Sequence, residues 1–262
     1  MAGVDCTFSP SGHVATVTLS NPDRYNAMTL AMWTGLGDAL ESLKANAAVR
    51  AVILRGDGDR AFVSGADISE FAEQRSSEAG VAAYEVAVAR AQGALEQFPR
   101  PVIAAISGVC YGGGLGLALA CDLRYAAPNA RFRMPAARLG LGYTLHGIRR
   151  MAAVLGVAQA AELFYTARVC SAADAAHIGL VNAVDEDVFA RAAEVADGIA
   201  ANAPMTIAAA KLAFNTVLAG TNDASADADA VAAAVKACFE SEDYVEGRKA
   251  FAAKRTPDFK GR

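Results

Sequence analysis

Three consecutive glycines, Gly112 to Gly114, stand between a strand-like run and a helix-like run of apolar residues. The run Pro101 to Val109 has the composition of a buried strand, and the run Leu115 to Arg124 favours a helix. Glycine allows a ligand to approach the backbone closely, and the first N–H groups of a helix lack partners within it. The helix dipole adds partial positive charge, so this corner suits an oxygen that becomes negative during a reaction.

A second corner of small residues, Ser64-Gly65-Ala66, follows the apolar run Ala48 to Gly56 after a turn. Asp67 stands in a capping position, and Glu70 comes three residues later, which favours a helix start. Two strand-to-helix corners of this kind can direct two backbone N–H groups at one oxygen. That arrangement is the geometry of an oxyanion hole.

The glycine triplet on its own has other interpretations, of which tight strand–helix packing is the simplest. A dinucleotide fingerprint would need a third glycine where Leu117 stands, and no Lys-Ser/Thr follows as in a P-loop. The chain has no G-x-S-x-G nucleophile elbow. Cys110 lies beside the glycines, but no histidine partner is evident for a thiol nucleophile.

The elements that must position these corners alternate along the first half of the chain. The patterns predict strands over 13–20, 48–56 and 101–108 and helices over 30–46 and 80–98. Strands separated by helices imply crossover connections and a largely parallel arrangement. The second half is almost entirely helical in pattern, with Pro204 in the first turn of one helix. We expect one boundary, between a core over 1–200 and a helical region over 201–262.

Composition narrows the function classes. The 262 residues are 54% hydrophobic and 20% charged, as in folded α/β proteins. A net charge of −4 argues against a nucleic-acid partner. The first residues lack a signal-peptide pattern, and no apolar stretch is long enough to span a membrane, so the sequence predicts a cytoplasmic location. Five scattered cysteines without a C-x-x-C pair indicate reduced thiols, and three histidines far apart predict no metal site.

The two corner segments together resemble the crotonase superfamily, which includes enoyl-CoA hydratases and isomerases. They read AFVSGADISEF over 61–71 and ISGVCYGGGLGLALACDLRYA over 106–126. Three further segments resemble the family in the same order: NPDRYNAM over 21–28, RVCSAADAAHIGLVNAV over 168–184 and SEDYVEGRKAFAAKRTPDFKG over 241–261. The resemblance therefore covers nearly the whole chain.

The resemblance implies an α/β fold, a spiral of ββα units followed by a C-terminal helical region. It implies a homo-oligomer, either a trimer or a dimer of trimers. The ligand it implies is an acyl-CoA thioester, with coenzyme A as part of the substrate and no separate cofactor. Ala66 and Gly113 match the two positions whose N–H groups hold the thioester oxygen, where they would stabilise an enolate.

The resemblance also implies which residues meet coenzyme A. Arg24 and the backbone of Ala66, Asp67 and Ile68 would lie near it. Phe251 and Lys254 would approach it from a neighbouring subunit. A solvated surface charge is the alternative interpretation of both Arg24 and Lys254.

Two departures from the family pattern affect the chemistry. Hydratases of this family carry one catalytic glutamate three residues after the oxyanion glycine, where this chain has Gly116. They carry the other after a proline on the next loop, where this chain has Ala136 after Pro135. General acid–base catalysis requires a titratable group close to the reacting atoms. The two-glutamate mechanism of water addition is therefore not expected.

The stretch Leu139 to Met151 supplies the polar candidates that remain, Tyr143 and His146, with Arg138 and Arg149 nearby. It is similar to the methylmalonyl-CoA decarboxylase branch, in which a tyrosine at the position of Tyr143 lines the site. Decarboxylation forms the enolate by loss of carbon dioxide and needs no base to activate water. Ala66 differs from that branch, which has a histidine there. An aromatic pocket wall for Tyr143 and a surface or core histidine for His146 are the alternative interpretations.

Three hypotheses follow from these residues. The chain is an acyl-CoA lyase or isomerase of the hydratase type with altered chemistry, a decarboxylase of a methylmalonyl-type CoA thioester, or a non-catalytic acyl-CoA-binding protein. Candidates for a replacement base are Glu70, Glu73 and Glu85. Asp122 and Trp33 are interpreted as structural residues.

Overall fold

Short strands alternate with helices along the chain, and the strands divide between two sheets. The computed structural model describes residues 2–67, 78–219 and 224–262. Its ten strands within these ranges are β1 (Gly3–Phe8), β2 (Val14–Ser20), β3 (Ala51–Gly56), β4 (Ala61–Val63), β5 (Val102–Ile106), β6 (Val109–Tyr111), β7 (Leu123–Ala126), β8 (Arg131–Arg133), β9 (Cys170–Ser171) and β10 (Ala183–Val184).

The helices cover the sheets and form the C-terminal region. Within the described ranges they are α1 (Leu30–Ala45), α2 (Glu78–Glu96), α3 (Gly113–Ala120), α4 (Ala136–Leu139), α5 (Leu145–Leu155), α6 (Val157–Thr166), α7 (Ala172–His177), α8 (Val188–Ala200), α9 (Pro204–Ala219), α10 (Ala224–Glu240) and α11 (Glu242–Ala253). A 3₁₀ turn spans Pro22–Arg24. Among the described helices, none is both long and apolar enough to cross a membrane.

From β3 to β8, consecutive strands alternate between the two sheets. The larger sheet has the order β1-β2-β3-β5-β7-β10 and the smaller has the order β4-β6-β8-β9. Thus β3 is followed by β4, β5 by β6, and β7 by β8, with a helix after each such pair. The pairings β3–β5, β5–β7, β4–β6 and β6–β8 are all parallel. The predicted ββα spiral is confirmed.

The strands and helices predicted for the first half are present with ends shifted by at most three residues, except for one difference at the third predicted strand. The run 101–108 supplies β5, then turns at Ser107 and Gly108 before β6 begins. Gly108 has a φ of +64°, which glycine adopts readily, and this turn carries the chain from one sheet to the other.

A buried ion pair joins the last helices to the spiral. The Nζ of Lys211 on α9 donates to a carboxylate oxygen of Asp122 at 2.7 Å and to the carbonyl of Arg100 at 2.9 Å. The side chain of Lys211 is only 6% exposed. The same Asp122 oxygen accepts from the backbone N–H of Val102 at the start of β5. This contact supports the structural interpretation of Asp122.

Candidate active site

The two corners identified in the sequence lie side by side, because the strands that lead into them are neighbours. β4 pairs in parallel with β6, with Val63 opposite Cys110. The chain then turns at Ser64 to Ala66 after β4 and at Gly112 after β6. A Cβ placed on Gly113 would lie 4.0 Å from the carbonyl carbon of Gly65, which is bonded to the nitrogen of Ala66. The Ala66 amide and the first residue of α3 are therefore adjacent.

A backbone bridge sets the direction of the Ala66 N–H group. Met28 N–H donates to the Gly65 carbonyl at 2.8 Å, and Asp67 N–H donates to the Met28 carbonyl at 3.0 Å. In an extended chain, successive peptide groups point to opposite sides. The groups flanking Ala66 point at Met28, so its own N–H points away from that bridge. Ala66 is partly exposed while Gly65 and Asp67 are buried.

Glycine is required in this triplet for two reasons: Gly112 has a positive φ, and there is no room for a side chain at Gly114. Gly112 precedes α3 with a φ of +52°, and its N–H donates to the carbonyl of Arg133 at 2.9 Å. A Cβ on Gly114 would overlap the carbonyl oxygen of Val63 and lie 2.8 Å from the Val63 Cβ. Gly113 is the first residue of α3, so its N–H has no partner within the helix. The triplet therefore brings β4 and α3 together and leaves an N–H group available.

The Trp33 side chain packs against this corner at Gly113. Its ring is buried, and a Cβ on Gly113 would lie 3.3 Å from it. The indole Nε1 donates to the hydroxyl of Tyr84 on α2 at 2.9 Å. Trp33 thus belongs to the core, as the sequence indicated, and its ring also packs against Gly113.

Positively charged side chains bind backbone carbonyls at the C-terminal end of α3. The buried guanidinium of Arg124 donates to the Cys121 carbonyl at 2.8 Å, and Arg150 Nε donates to the Leu119 carbonyl at 2.5 Å. Lys211 lies just beyond, on Asp122. Positive charge at a helix C-terminus interacts favourably with the helix dipole and stabilises the helix. This arrangement compensates the negative end of α3 and leaves the positive end at Gly113.

Gly116 lies on the same partly exposed face of α3 as Gly113, one turn further on. A Cβ on Gly116 would lie 2.7 Å from Gln92 Nε2 and 3.8 Å from the Tyr143 hydroxyl oxygen. Ala136 begins α4 and is buried. Its neighbour Pro135 lies 3.7 Å from where a Cβ of Gly112 would be. Both departures from the family pattern therefore border the corner, and neither supplies a carboxylate.

The Tyr143 hydroxyl lies near Gly116, and the Tyr143 ring packs closely against neighbouring residues. Its ring packs edge-on against Phe164, with 5.4 Å between the ring centroids. A Cβ on Gly147 would overlap this ring and lie 3.0 Å from its Cδ1. The residue keeps 36% of its surface exposed, yet burial raises the pKa of the hydroxyl. Tyr143 is therefore a neutral hydrogen-bond donor near pH 7.

His146 is directed elsewhere. Its Nε2 lies 3.0 Å from a carboxylate oxygen of Glu96 on α2, and the side chain is 65% exposed. Glu96 lies four residues after Gln92, so both belong to one face of α2. The structure thus places His146 in contact with Glu96, which lies one turn of α2 beyond Gln92.

The residues predicted to meet coenzyme A fall into two groups. Arg24 is exposed beside the first corner, where its carbonyl accepts from the Ser64 hydroxyl at 3.1 Å. The carboxylate of Asp67 is buried against the Asn21 amide, and Ile68 lies outside the described residues. Phe251 and Lys254 lie at the end of α11, where the Phe251 side chain is 89% exposed. No hydrogen bond or ion pair in the described ranges joins these two residues to either corner.

Other sequence candidates are less well placed. Burial raises the pKa of the Cys110 thiol well above its ordinary value, which disfavours the thiolate that a nucleophile requires. Glu85 is exposed, and Glu70 and Glu73 lie outside the described residues. Gln92 was not identified from the sequence. A single glutamine in an alanine-rich helix has no distinctive pattern, and only the packing of α2 on α3 reveals its position.

Comparison with known proteins assigns the chain to a family. A family model described as enoyl-CoA hydratase/isomerase matches residues 10–262. The short-chain-enoyl-CoA hydratase of Clostridium acetobutylicum is 34% identical over 254 residues, which cover 93% of each chain. The crotonyl-CoA hydratase of Syntrophomonas wolfei is 32% identical, with 94% of each chain covered. The chain belongs to the enoyl-CoA hydratase/isomerase family. The predicted crotonase resemblance is therefore confirmed.

Solved structures agree with this assignment. An enoyl-CoA hydratase from Bacillus anthracis has a TM-score of 0.91 at 33% identity, with 99% of each chain covered. An enoyl-CoA hydratase/carnitine racemase from Magnetospirillum magneticum has a TM-score of 0.91 at 38% identity, covering 100% of this chain and 97% of that one. None of the four relatives named here is called a decarboxylase. The comparisons thus support the crotonase fold and family, and give no support to the decarboxylase branch.

Proposed function

We propose that this crotonase-family protein is an enzyme that binds an acyl-CoA thioester and stabilises its enolate between the N–H groups of Ala66 and Gly113. The observation that carries the proposal is the adjacency of these two residues at the ends of neighbouring parallel strands. Two donors fixed before the reaction stabilise charge that develops on the thioester oxygen. Arg24 beside the first corner is suited to the coenzyme A portion. Phe251 and Lys254 would complete that site from another subunit of a trimer or a dimer of trimers.

The proposed reaction does not follow the two-carboxylate route of water addition. Gly116 and Ala136 offer no titratable group, and the polar atoms nearest Gly116 belong to an amide and a phenol. Neither is a base near pH 7. If water is nevertheless added, the base must lie outside positions 116 and 136, and the His146–Glu96 pair is one candidate because Glu96 lies one turn of α2 from Gln92.

Decarboxylation of a methylmalonyl-type thioester is the second candidate, and the position of Tyr143 favours it. In this reaction the bond between the α-carbon and the carboxylate breaks, and its electron pair moves to the thioester oxygen as the enolate. Carbon dioxide leaves, and the α-carbon then takes a proton from solvent. The step requires enolate stabilisation and a site that positions the substrate carboxylate, and the neutral Tyr143 hydroxyl is suited to that positioning. It requires no general base.

Mass spectrometry on purified protein incubated with acyl-CoA thioesters tests both proposals. Crotonyl-CoA and methylmalonyl-CoA should be included, with a no-enzyme control. Loss of carbon dioxide from methylmalonyl-CoA, with crotonyl-CoA unchanged, supports decarboxylation. Gain of water on crotonyl-CoA supports an altered hydratase with a base outside positions 116 and 136. If the protein neither converts nor retains any thioester, the proposed function is wrong.

A thioester that is retained but unchanged indicates the third hypothesis, a non-catalytic acyl-CoA-binding protein. A matched pair of variants then tests the proposed clamp. Gly113→Pro removes one N–H at a helix position that accepts proline, whereas Gly113→Ala keeps it and adds the same Cβ beside Trp33. Gly113→Pro should reduce any turnover by about 10²–10³-fold, the effect of losing one oxyanion donor, and Gly113→Ala should not.

A further inference from the structure

Two polar side-chain ends meet at Gly116 without a protein partner. Gln92 Nε2 and the Tyr143 hydroxyl oxygen both lie within 4 Å of the point where a Cβ of Gly116 would stand. Neither group makes a hydrogen bond within the described part of the chain. This point is open to a ligand, because none of the three residues around it is buried: Gln92, Gly116 and Tyr143. Polar groups that converge on an open position are typical of a binding site.

The chain builds this arrangement from three sides. Gly116 on α3 leaves the space, since any side chain there would displace the Gln92 amide. Gln92 is held by α2, whose neighbouring residue Ala91 is fully buried. The Tyr143 ring packs against Phe164 on α6, and it fits against α5 because Gly147 has no side chain there. Four helices thus fix the position of two hydrogen-bonding groups.

The distance from Gly113 indicates which part of an acyl group would reach these groups. Residues three apart on a helix lie about 5–6 Å apart on its surface. With the thioester oxygen on the Gly113 N–H, the substrate atoms one helical turn away are the third carbon of the acyl group, C3, and its substituents. We infer that Gln92 and Tyr143 together bind an oxygen on C3, so that they select acyl-CoA thioesters that carry one. The inference rests on the proposed function because it requires the thioester to lie in the clamp.

The chemistry of the pair defines the class of substituent. A phenol hydroxyl and an amide N–H₂ both donate, and burial keeps the Tyr143 hydroxyl protonated by raising its pKa. Position 116 carries no carboxylate that would repel an acceptor oxygen. A C3 hydroxyl, ketone or carboxylate satisfies both donors, whereas an unsubstituted acyl chain leaves them without partners. Specificity of this kind arises because unpaired polar groups penalise the analogue that lacks the oxygen.

Isothermal titration calorimetry of the wild-type protein tests the inference. Butyryl-CoA is the reference ligand, and 3-hydroxybutyryl-CoA, acetoacetyl-CoA and malonyl-CoA each add an oxygen on C3. At least one of the three should bind more tightly than butyryl-CoA, and that ligand identifies the type of oxygen. Gln92→Leu and Tyr143→Phe should each weaken its binding by about 3–10-fold, the effect of one lost hydrogen bond. Binding of butyryl-CoA should change by less than about twofold.

Gly147→Ala and Gly93→Ala form a matched pair for the positioning of Tyr143. Both replace a glycine in a helix by alanine, but an added Cβ meets the Tyr143 ring only at Gly147, and it meets nothing within 4 Å at Gly93. Gly147→Ala should therefore reduce the preference for the C3-oxygenated ligand as Tyr143→Phe does. Gly93→Ala should preserve that preference.

The outcomes separate this inference from the proposed function. If butyryl-CoA and the oxygenated ligands bind with equal affinity, the assignment of Gln92 and Tyr143 is wrong while the clamp remains supported. The same conclusion follows if the two variants weaken all ligands equally. If no thioester binds to the wild-type protein, the proposed function itself fails, and the inference fails with it.

Discussion

The close approach of α3 to β4 makes Gly114 the most sensitive position of the glycine triplet. In Gly114→Ala the new Cβ would overlap the Val63 carbonyl oxygen and lie 2.8 Å from the Val63 Cβ and 2.9 Å from its carbonyl carbon. Ordinary contacts of this kind begin near 3.4 Å. Because two of these three atoms belong to the backbone, no side-chain rotation relieves the overlap, and α3 must move away from β4.

The expected change in the unfolding free energy of Gly114→Ala is the sum of two opposing contributions. Overpacking of a well-packed core costs about 1–3 kcal/mol, and a clash with backbone lies at the upper end of that range. Alanine in place of glycine in a helix returns about 1 kcal/mol. The net loss of unfolding free energy should therefore be about 2 kcal/mol. In a chain of this size, that loss lowers the melting temperature by roughly 4–8 °C.

Urea denaturation of Gly114→Ala, with Gly93→Ala as the control, measures this difference. The midpoint should fall for Gly114→Ala with an unchanged slope. For Gly93→Ala the free energy of unfolding should stay level or rise by about 0.5–1 kcal/mol. The corners that carry Ala66 and Gly113 would also separate, so binding of acyl-CoA should weaken in the first variant only. Equal stability of the two variants would refute the close packing described for α3 and β4.

Two further predictions concern ion pairs outside the candidate site. Lys211→Met should lower the unfolding free energy by about 3–5 kcal/mol in urea denaturation, because Asp122 loses its buried cation, and the additional change Asp122→Asn should restore part of that loss. Glu246 accepts both bonds of the Arg255 guanidinium, which lowers its pKa from 4.5 to about 2. Its contribution to stability is therefore present above pH 4.5 and is lost as the pH falls towards 2. The protection factor of the Asp258 amide, which donates to Glu246, should fall over that range in the wild-type protein once the intrinsic exchange rate at each pH is divided out. In Glu246→Gln the protection factor should already be low at pH 7, and a protected amide there would contradict the assignment.

The features that the sequence predicted are those specified by local patterns. The turn at Ser64 to Ala66 and the strand-to-helix corner at Gly113 follow from runs of apolar residues interrupted by glycine, and periodicity placed α1 and α2 within two residues of their observed ends. The adjacency of the corners depends on the pairing of β4 with β6. Each of these strands has only three residues, too few to show a period.

The features that the sequence did not reveal depend on packing between distant segments. Gln92 and Gly116 lie on different helices, and only their packing brings the amide to the space that the missing glutamate leaves. His146 was a candidate on the basis of its type, yet its pairing with Glu96 could not be read from two residues that are 50 positions apart. The role of Gly147 likewise depends on the ring of Tyr143 lying across the first turn of α5.

Ionisation of bound acetoacetyl-CoA tests the proposed oxyanion hole, because it measures enolate stabilisation without requiring an acid or a base from the protein. The absorbance of the enolate is recorded against pH, free in solution and bound to the wild-type protein, to Gly113→Ala and to Gly113→Pro. Binding to the wild-type protein or to Gly113→Ala should lower the pKa of the ligand by at least about one unit, equivalent to about 1.4 kcal/mol. Binding to Gly113→Pro should reverse much of that shift. An unchanged or raised pKa on the wild-type protein would contradict an oxyanion hole formed by Ala66 and Gly113.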